Sequence, residues 1–300
     1  MTVLDTTVAE ARIPGGTPLA VAPRHHGWRV LRRDRTAMFG LAVVSLLSLA
    51  AILAPILAPH DPGALDVVHK LAPPSRNHLL GTDNLGRDNL SRLLYGARLT
   101  IGTAAAASAA VAIIGLLLGT LAGYVGGVVD AVVSRLIDVV LAFPPFLVAL
   151  AVTGVLGPGL GHVVIALIVV WWARYGRIVR SAVLAERAKP YIEAARAVGS
   201  SRLRTVGRHL LPNIIAPIVV LTTLDTGELL LGISSLSFLG LGVRPPAAEW
   251  GAMLSEARTY LSTTPLLMVW PGLAIFLMVL GFNLLGDGLR DVLDPRTRRR

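Results

Sequence analysis

Three stretches of this sequence, Ala37–Ala58, Leu99–Val129 and Thr259–Gly286, each run for more than twenty residues without a charged side chain. A helix that crosses a bilayer needs about 20 mostly apolar residues, and it satisfies its own backbone hydrogen bonds where water cannot reach them. Soluble cores are assembled from shorter apolar patches, so runs of this length predict a membrane protein built from helices. The remainder of the chain agrees, being 54 % hydrophobic and only 15 % charged. With no cysteine in the chain, disulfides and cysteine-ligated zinc are excluded.

A further uncharged stretch of 35 residues, Val139–Ala173, is too long for one straight span, and Gly157-Pro158-Gly159-Leu160-Gly161 interrupts it where a tight turn belongs. It reads as two helices. The first begins near Ala131, placing Arg135 and Asp138 on one face near a membrane surface, and the second runs from about His162 to Arg180. Asn213 to about Leu236 adds another, opened by Pro212, whose missing N–H costs nothing in a first helical turn. The predicted fold is all-α with six transmembrane helices. Its parts are a tail over 1–36, a first span over 37–58, an outer loop over 59–98, a core over 99–290 that includes an inner loop at 181–212, and a tail over 291–300.

Positively charged loops stay on the cytoplasmic side. Residues 1–36 carry six Arg, Arg174–Arg208 carries nine Lys or Arg, and the end of the chain from Arg290 carries five. The Gly157–Gly161 turn carries none, and the loop before the last span balances Arg244 and Arg258 against Glu249 and Glu256. Both termini are therefore expected inside, in an inner membrane. The first 27 residues contain Pro and Gly without an apolar core, which predicts a flexible tail and no removable signal peptide. The net charge of +10 sits beside apolar spans and not on an aromatic-interleaved soluble patch, so membrane topology and not nucleic acid accounts for it.

The inner loop contains Glu193-Ala194-Ala195-Arg196-Ala197-Val198-Gly199, followed by His209-Leu210-Leu211-Pro212-Asn213. Pro190 suits a helix start, Glu193 complements its amide-rich first turns, the alanines leave a slim surface, and Gly199 allows a sharp turn. This segment resembles the docking loop of ABC-importer permeases. Four more blocks resemble the dipeptide, oligopeptide and nickel branch of that family: His78-Leu79-Leu80-Gly81-Thr82-Asp83 continuing through Leu85-Gly86-Arg87-Asp88, then Ser237–Gly242, Glu249-Trp250-Gly251 and Asn283–Asp291. The resemblance covers about Arg29 to Arg296. It departs at Ile233, where some members carry an acid.

What the resemblance implies is a type I ABC-importer permease fold, acting as the second permease subunit. The partners implied are a homologous companion permease, two ATP-binding subunits, an extracytoplasmic binding protein and membrane lipid. Coupling to the ATPases falls on Glu193, Ala194, Ala195 and Gly199. ATP and Mg would be bound by the partner ATPases, with no cofactor in this chain. Short peptides are the expected cargo, with nickel or glutathione-like compounds as the alternative.

Inside the membrane, Asp225 and Glu228 lie three residues apart on one helix face. They either line the translocation path or pair with Arg or backbone donors at an interface. Gly115, Gly119, Gly123 and Gly127 recur every fourth residue and predict close helix packing, chiefly within the chain. Phe143-Pro144-Pro145 predicts a bend. Outside, Pro245–Met253 with Glu249 and Trp250 is expected to form a lip for the binding protein. His60, His69 and His78, nine residues apart, match no familiar ligand spacing and are read as solvated or hydrogen-bonded, with no metal site. Neither of the two lysines, Lys70 and Lys189, sits in a Gly-rich phosphate loop, and no zinc-hydrolase or nucleophile-elbow motif occurs. A transport subunit without its own ATPase site follows. A stand-alone secondary transporter is the rival class, but the sequence shows no internal repeat.

Overall fold

The computed structural model describes residues 31–244 and 246–293, with Arg196 described by its backbone alone. The sequence before Leu31 and from Asp294 onward, including most of both expected tails, lies outside the described residues, as does Pro245 of the expected outer lip. Among the described residues there is no β-strand, only an isolated bridge between Thr82 and Asp88. The principal helices are α1 (Arg35–Ile52), α2 (Asn89–Val125), α3 (Gly127–Leu141), α4 (Pro145–Leu156), α5 (Leu160–Arg187), α6 (Pro190–Ala197), α7 (Leu211–Phe238), α8 (Trp250–Ala257) and α9 (Leu266–Leu293).

Among the described residues five helical segments are long and apolar enough to cross a membrane, and α3 with α4, bent by 90° at their junction, make a sixth where the pair is counted as one span. The segment expected as a third continuous span is thus sharply bent. Pro144 and Pro145 both lack an N–H, and a residue preceding proline is steered out of the helical region, so the helix stops after Leu141 and restarts at Pro145.

Two other expected boundaries shift for local reasons. The second span starts at Asn89 and not Leu99, because the Asp88 side chain caps it by accepting the Ser91 N–H at 2.8 Å. At 37 residues it is about 55 Å long, which exceeds a hydrocarbon core of about 30 Å and carries its ends into the headgroup region. It stops at Gly126, whose φ of 76° an L side chain would resist. The last span begins at Leu266, not Thr259, since a short 3-10 turn over Arg258–Tyr260 comes first.

The glycine ridge of α2 packs against α5 within the chain. A Cβ at Gly115 would fall 2.2 Å from Tyr175 Cβ, and one at Gly119 would fall 2.7 Å from the Gly176 carbonyl oxygen and from Val179 Cβ. Gly123 meets Val183 in the same way, whereas Gly127 belongs to α3 and has open space around it. A second close crossing joins α1 to α9, where a Cβ on Gly40 would lie 2.7 Å from the Gly281 carbonyl oxygen.

Large apolar side chains such as Leu46, Val128, Val155 and Phe276 remain exposed on the outside of the bundle. Only 17 % of the α1 window and 44 % of the α5 window is buried within the chain. The remaining apolar surface needs lipid or another apolar partner.

Contacts sort the helix ends into two groups. Arg187 at the end of α5 donates to the Tyr124 carbonyl at the end of α2, and Gly288 of α9 packs on Ala37 of α1. At the opposite end the Gly159 N–H donates to the Leu241 carbonyl at 2.9 Å. The first group carries α6 and the basic loop; the second carries the 59–88 loop and α8.

Candidate functional site

The basic loop is built as a short helix held by its neighbours. α5 ends at Arg187, the Lys189 N–H turns back to the Glu186 carbonyl, and Pro190 opens α6. Ile192 is wholly buried and anchors the helix, leaving Glu193 and Ala194 exposed and Ala195 half-buried. Gly199 has φ of 79°, and the Ser200 N–H reaches back to the Ala195 carbonyl at 3.0 Å. That is a C-terminal capping motif, and it needs a residue tolerant of left-handed backbone. Val198 and Leu203 stand 84 % exposed beside it. The result is a slim, solvent-facing helix with two bare apolar neighbours, a surface suited to a protein partner.

Tyr191 ties this helix to the spans on both sides. Its hydroxyl donates to the Glu186 carboxylate of α5 and accepts from Asn213 Nδ2 of α7 at 3.0 Å. Desolvation, and then the Glu186 carboxylate, push the phenol up to about 12, so it remains a donor at neutral pH. The sequence reading missed this link. Glu186 and Asn213 sit five and 22 residues from Tyr191, at spacings that no local motif marks. Between them Thr205–Leu210 forms a π-helical turn that feeds α7, a feature often found at functional sites.

Within the membrane, Asp225 and Glu228 share one cation. Arg174 Nη1 of α5 lies 3.3 Å from Asp225 Oδ1 and 3.3 Å from Glu228 Oε2. The two acids differ in exposure: the Asp225 side chain is 2 % exposed and that of Glu228 is 56 % exposed. Beside Arg174 opens a cleft of 660 Å³, lined among others by Asn213, Pro217, Leu224 and Arg290. Two further ion pairs fasten α3 to α5, Asp130 with Arg180 and Asp138 with Arg177. The paired positions lie three residues apart on α5 and eight apart on α3.

At the outer end the expected lip is corrected. Glu249 is fully buried and Trp250 is 1 % exposed, so neither side chain is available to a docking protein. Glu249 caps α8, accepting the N–H groups of Gly251 and Ala252 at 3.0 and 2.9 Å and the Thr100 hydroxyl at 3.1 Å. The Trp250 indole donates to the Leu93 carbonyl at 3.0 Å. Both fasten α8 to α2. The surface open nearby is a cleft of 680 Å³ lined by residues that include Asp61, Tyr95, Arg98 and Pro246.

The comparisons with known proteins bear on this arrangement. Residues 115–299 match the family model described as binding-protein-dependent transport system inner membrane component, which is more than half of the chain. The chain belongs to this family. Residues 23–74 also match the N-terminal TM domain of oligopeptide transport permease C.

Curated relatives of the permease cover it almost end to end. It is 41 % identical over 279 residues to the dipeptide transport system permease protein DppC of Alkalihalophilus pseudofirmus, covering 93 % of this chain and 92 % of that protein. It is 44 % identical over 255 residues to the nickel transport system permease protein NikC of Escherichia coli K12, covering 85 % and 92 %. It is also 44 % identical over 277 residues to the glutathione transport system permease protein GsiD of an E. coli O1:K1 strain, covering 92 % and 91 %. The permease is therefore a multi-pass membrane subunit of an ABC importer in the peptide, nickel and glutathione branch. Family members of this kind work alongside further permease, ATPase and binding-protein components.

The loop histidines of the permease separate in the structure. His69 pairs with Asp66 of its own turn at 2.7 Å, and this hydrogen bond holds the Asp66 carboxyl below its usual range. His60 and His78 come together, their rings 4.8 Å apart, beside Asp88.

Proposed function

We propose that this chain is the second permease half of an ATP-driven importer of di- and oligopeptides, paired with a homologous companion permease. The observation that carries this reading is the exposed α6 helix, anchored by Ile192 and capped at Gly199, at the end of the bundle that bears the basic residues. ATP-driven closure of two partner ATPases moves α6, and Tyr191 passes that motion to α5 and α7 through Glu186 and Asn213. The spans then alternate between inward- and outward-facing states, the energy entering through a loop and not through chemistry in this chain. Both termini lie in the cytoplasm, in accord with the basic residues near Arg35 and Arg290.

Glu228, exposed beside the cleft next to Arg174, is the acid placed to face a peptide's amino group. Asp225 keeps Arg174 in position from the buried side. An extracytoplasmic binding protein delivers cargo at the outer end, where the cleft around Asp61 and Arg98 offers the open surface. The relatives' printed names divide among dipeptide, nickel and glutathione cargo at similar identity, and the match of residues 23–74 to the N-terminal domain of oligopeptide transport permease C is what supports short peptides.

The reading is tested by uptake of labelled di-, tri- and pentapeptides in cells with the gene deleted and then restored. Loss and recovery for one length class supports a peptide importer. Unchanged uptake of all three in cells without a redundant importer assigns the chain to nickel or another non-peptide cargo.

A further inference from the structure

His60, His78 and Asp88 are scattered over the outer loop in sequence, yet one ligand atom from each lies within 4.8 Å of the other two. His78 Nδ1 is 2.9 Å and His60 Nδ1 is 3.8 Å from the same oxygen, Asp88 Oδ1. A tetrahedral ion with bonds of about 2.0–2.1 Å holds its ligand atoms roughly 3.3 Å apart, a separation that these two distances bracket. The carboxylate cannot drift away from such an ion. Its side chain is 1 % exposed, and its other oxygen is fixed by the Ser91 N–H and the Ser91 hydroxyl, each at 2.8 Å. That leaves Oδ1 aimed at the two imidazoles.

The histidines are held as well. The backbone N–H of His60 donates to Ser91 Oγ at 3.1 Å, and the backbone N–H of His78 donates to Ser75 Oγ at 3.1 Å, which fixes the main chain at both residues. The partner of the kind that orients a metal ligand is Ser91, whose N–H and hydroxyl both bind Asp88 Oδ2. His78 is largely enclosed, its side chain 17 % exposed, whereas His60 is 40 % exposed. The solvent side of the cluster is therefore the His60 side, where a fourth position stays open to water.

We propose that His60, His78 and Asp88 bind a divalent transition ion of the zinc class as a structural clamp. Two imidazoles and one carboxylate suit such an ion better than magnesium or calcium, which prefer all-oxygen shells. His60 follows the end of the first span by a few residues, and Asp88 caps the second. The ion would thus pin the exit of one span to the entrance of the next and close the intervening loop at its base. The inference is independent of which cargo the importer carries.

The experiment uses the full-length chain in nanodiscs, stripped with EDTA and titrated with zinc against a chromophoric chelator. The expected result is one site, weakened by about 100-fold or more in His60→Gln and in His78→Gln, since even outer partners of a metal site are worth 10–100-fold. His69→Gln should bind as wild type does, because His69 faces Asp66. Glutamine keeps a hydrogen-bonding group opposite Asp88, and an unchanged far-ultraviolet circular dichroism spectrum separates lost ligation from lost folding. A second readout needs no variant: the wild-type chain should melt at a higher temperature in zinc than in EDTA. Zinc affinity equal in wild type and both variants overturns the proposal, and so does a wild-type melting temperature that zinc leaves unchanged.

Discussion

Arg92 and Glu256 are 164 residues apart in the chain, and Arg92 Nη2 donates to Glu256 Oε2 at 2.8 Å. Arg87 reaches the same carboxylate oxygen at 2.7 Å, and Asp83 binds Arg87 Nε at 2.6 Å from the other side. Both guanidiniums are 1 % exposed. The motif in the first outer loop is therefore a buried ionic knot that docks the loop and α2 on α8. Removing one partner of a buried pair leaves uncompensated charge and costs about 3–5 kcal/mol. Glu256→Gln should lower the melting temperature of the detergent-solubilised chain by several degrees and reduce its abundance in membranes. A melting temperature equal to wild type would show that the knot contributes little.

Gly119 makes the second prediction. Its missing side chain lets α2 approach α5 until a Cβ would sit 2.7 Å from backbone at Gly176. Gly119→Leu forces the helices apart, and overpacking of this kind costs about 1–3 kcal/mol. Gly102, with nothing within 4 Å, should accept Ala with no loss. Equal thermal stability of Gly119→Leu and Gly102→Ala would remove the ridge as a packing device.

The physics of the two regions explains what the sequence revealed. A span is a local property, because twenty apolar residues in a row satisfy the membrane whatever lies elsewhere. The glycine ridge is likewise local, its period fixed by the helix. The burial of Trp250 is not local. An aromatic in an outer segment reads as an exposed lip until Thr100 and Leu93, about 150 residues earlier, are found to hold its backbone and indole. For the same reason no local pattern marks Arg87 and Arg92 as buried partners of Asp83 and Glu256. A separation of 18 residues hid the proximity of His60 and His78, since an irregular loop and not a helix brings their rings together.

Tyr191 gives a prediction about coupling. Tyr191→Phe keeps the ring but removes the donor to Glu186 and the acceptor for Asn213. On a partly exposed residue the loss is about 1 kcal/mol, and uptake driven by ATP should fall about fivefold. The phenol lies above its ordinary 10.0, at about 12, so the folded chain holds this proton more tightly than the unfolded one. Its contribution is complete below pH 10 and is lost as pH rises from about 10 toward 12. The defect of the Phe variant should therefore be constant between about pH 6 and 8.5, and a defect that varies across that window would point to a different partner.

Glu193 and Gly199 test the same region from its exposed side. Glu193→Arg reverses a charge on a solvent-facing position, and Gly199→Val places a β-branched residue at φ of 79°, a strain of about 1–2 kcal/mol. Both variants should insert and fold, yet both should separate ATP hydrolysis from uptake by tenfold or more, a factor that corresponds to about 1.4 kcal/mol. Measured ratios of ATP hydrolysed to cargo moved that match wild type would detach α6 from coupling.

Arg174 decides between the two roles open to the acids of α7. Its guanidinium is shared by buried Asp225 and exposed Glu228, so Arg174→Gln strands one carboxylate where water cannot reach it. If Asp225 is there to hold Arg174, the single variant should be poorly stable and Arg174→Gln with Asp225→Asn should regain most of that stability, because the neutral pair buries no charge. Glu228→Gln should behave differently. Being half in solvent, it should leave stability near wild type while lowering uptake of cargo with a free amino group more than cargo with that group blocked. Equal effects on the two cargoes would assign Glu228 to the fold and leave the pathway without a charged recognition point on this helix.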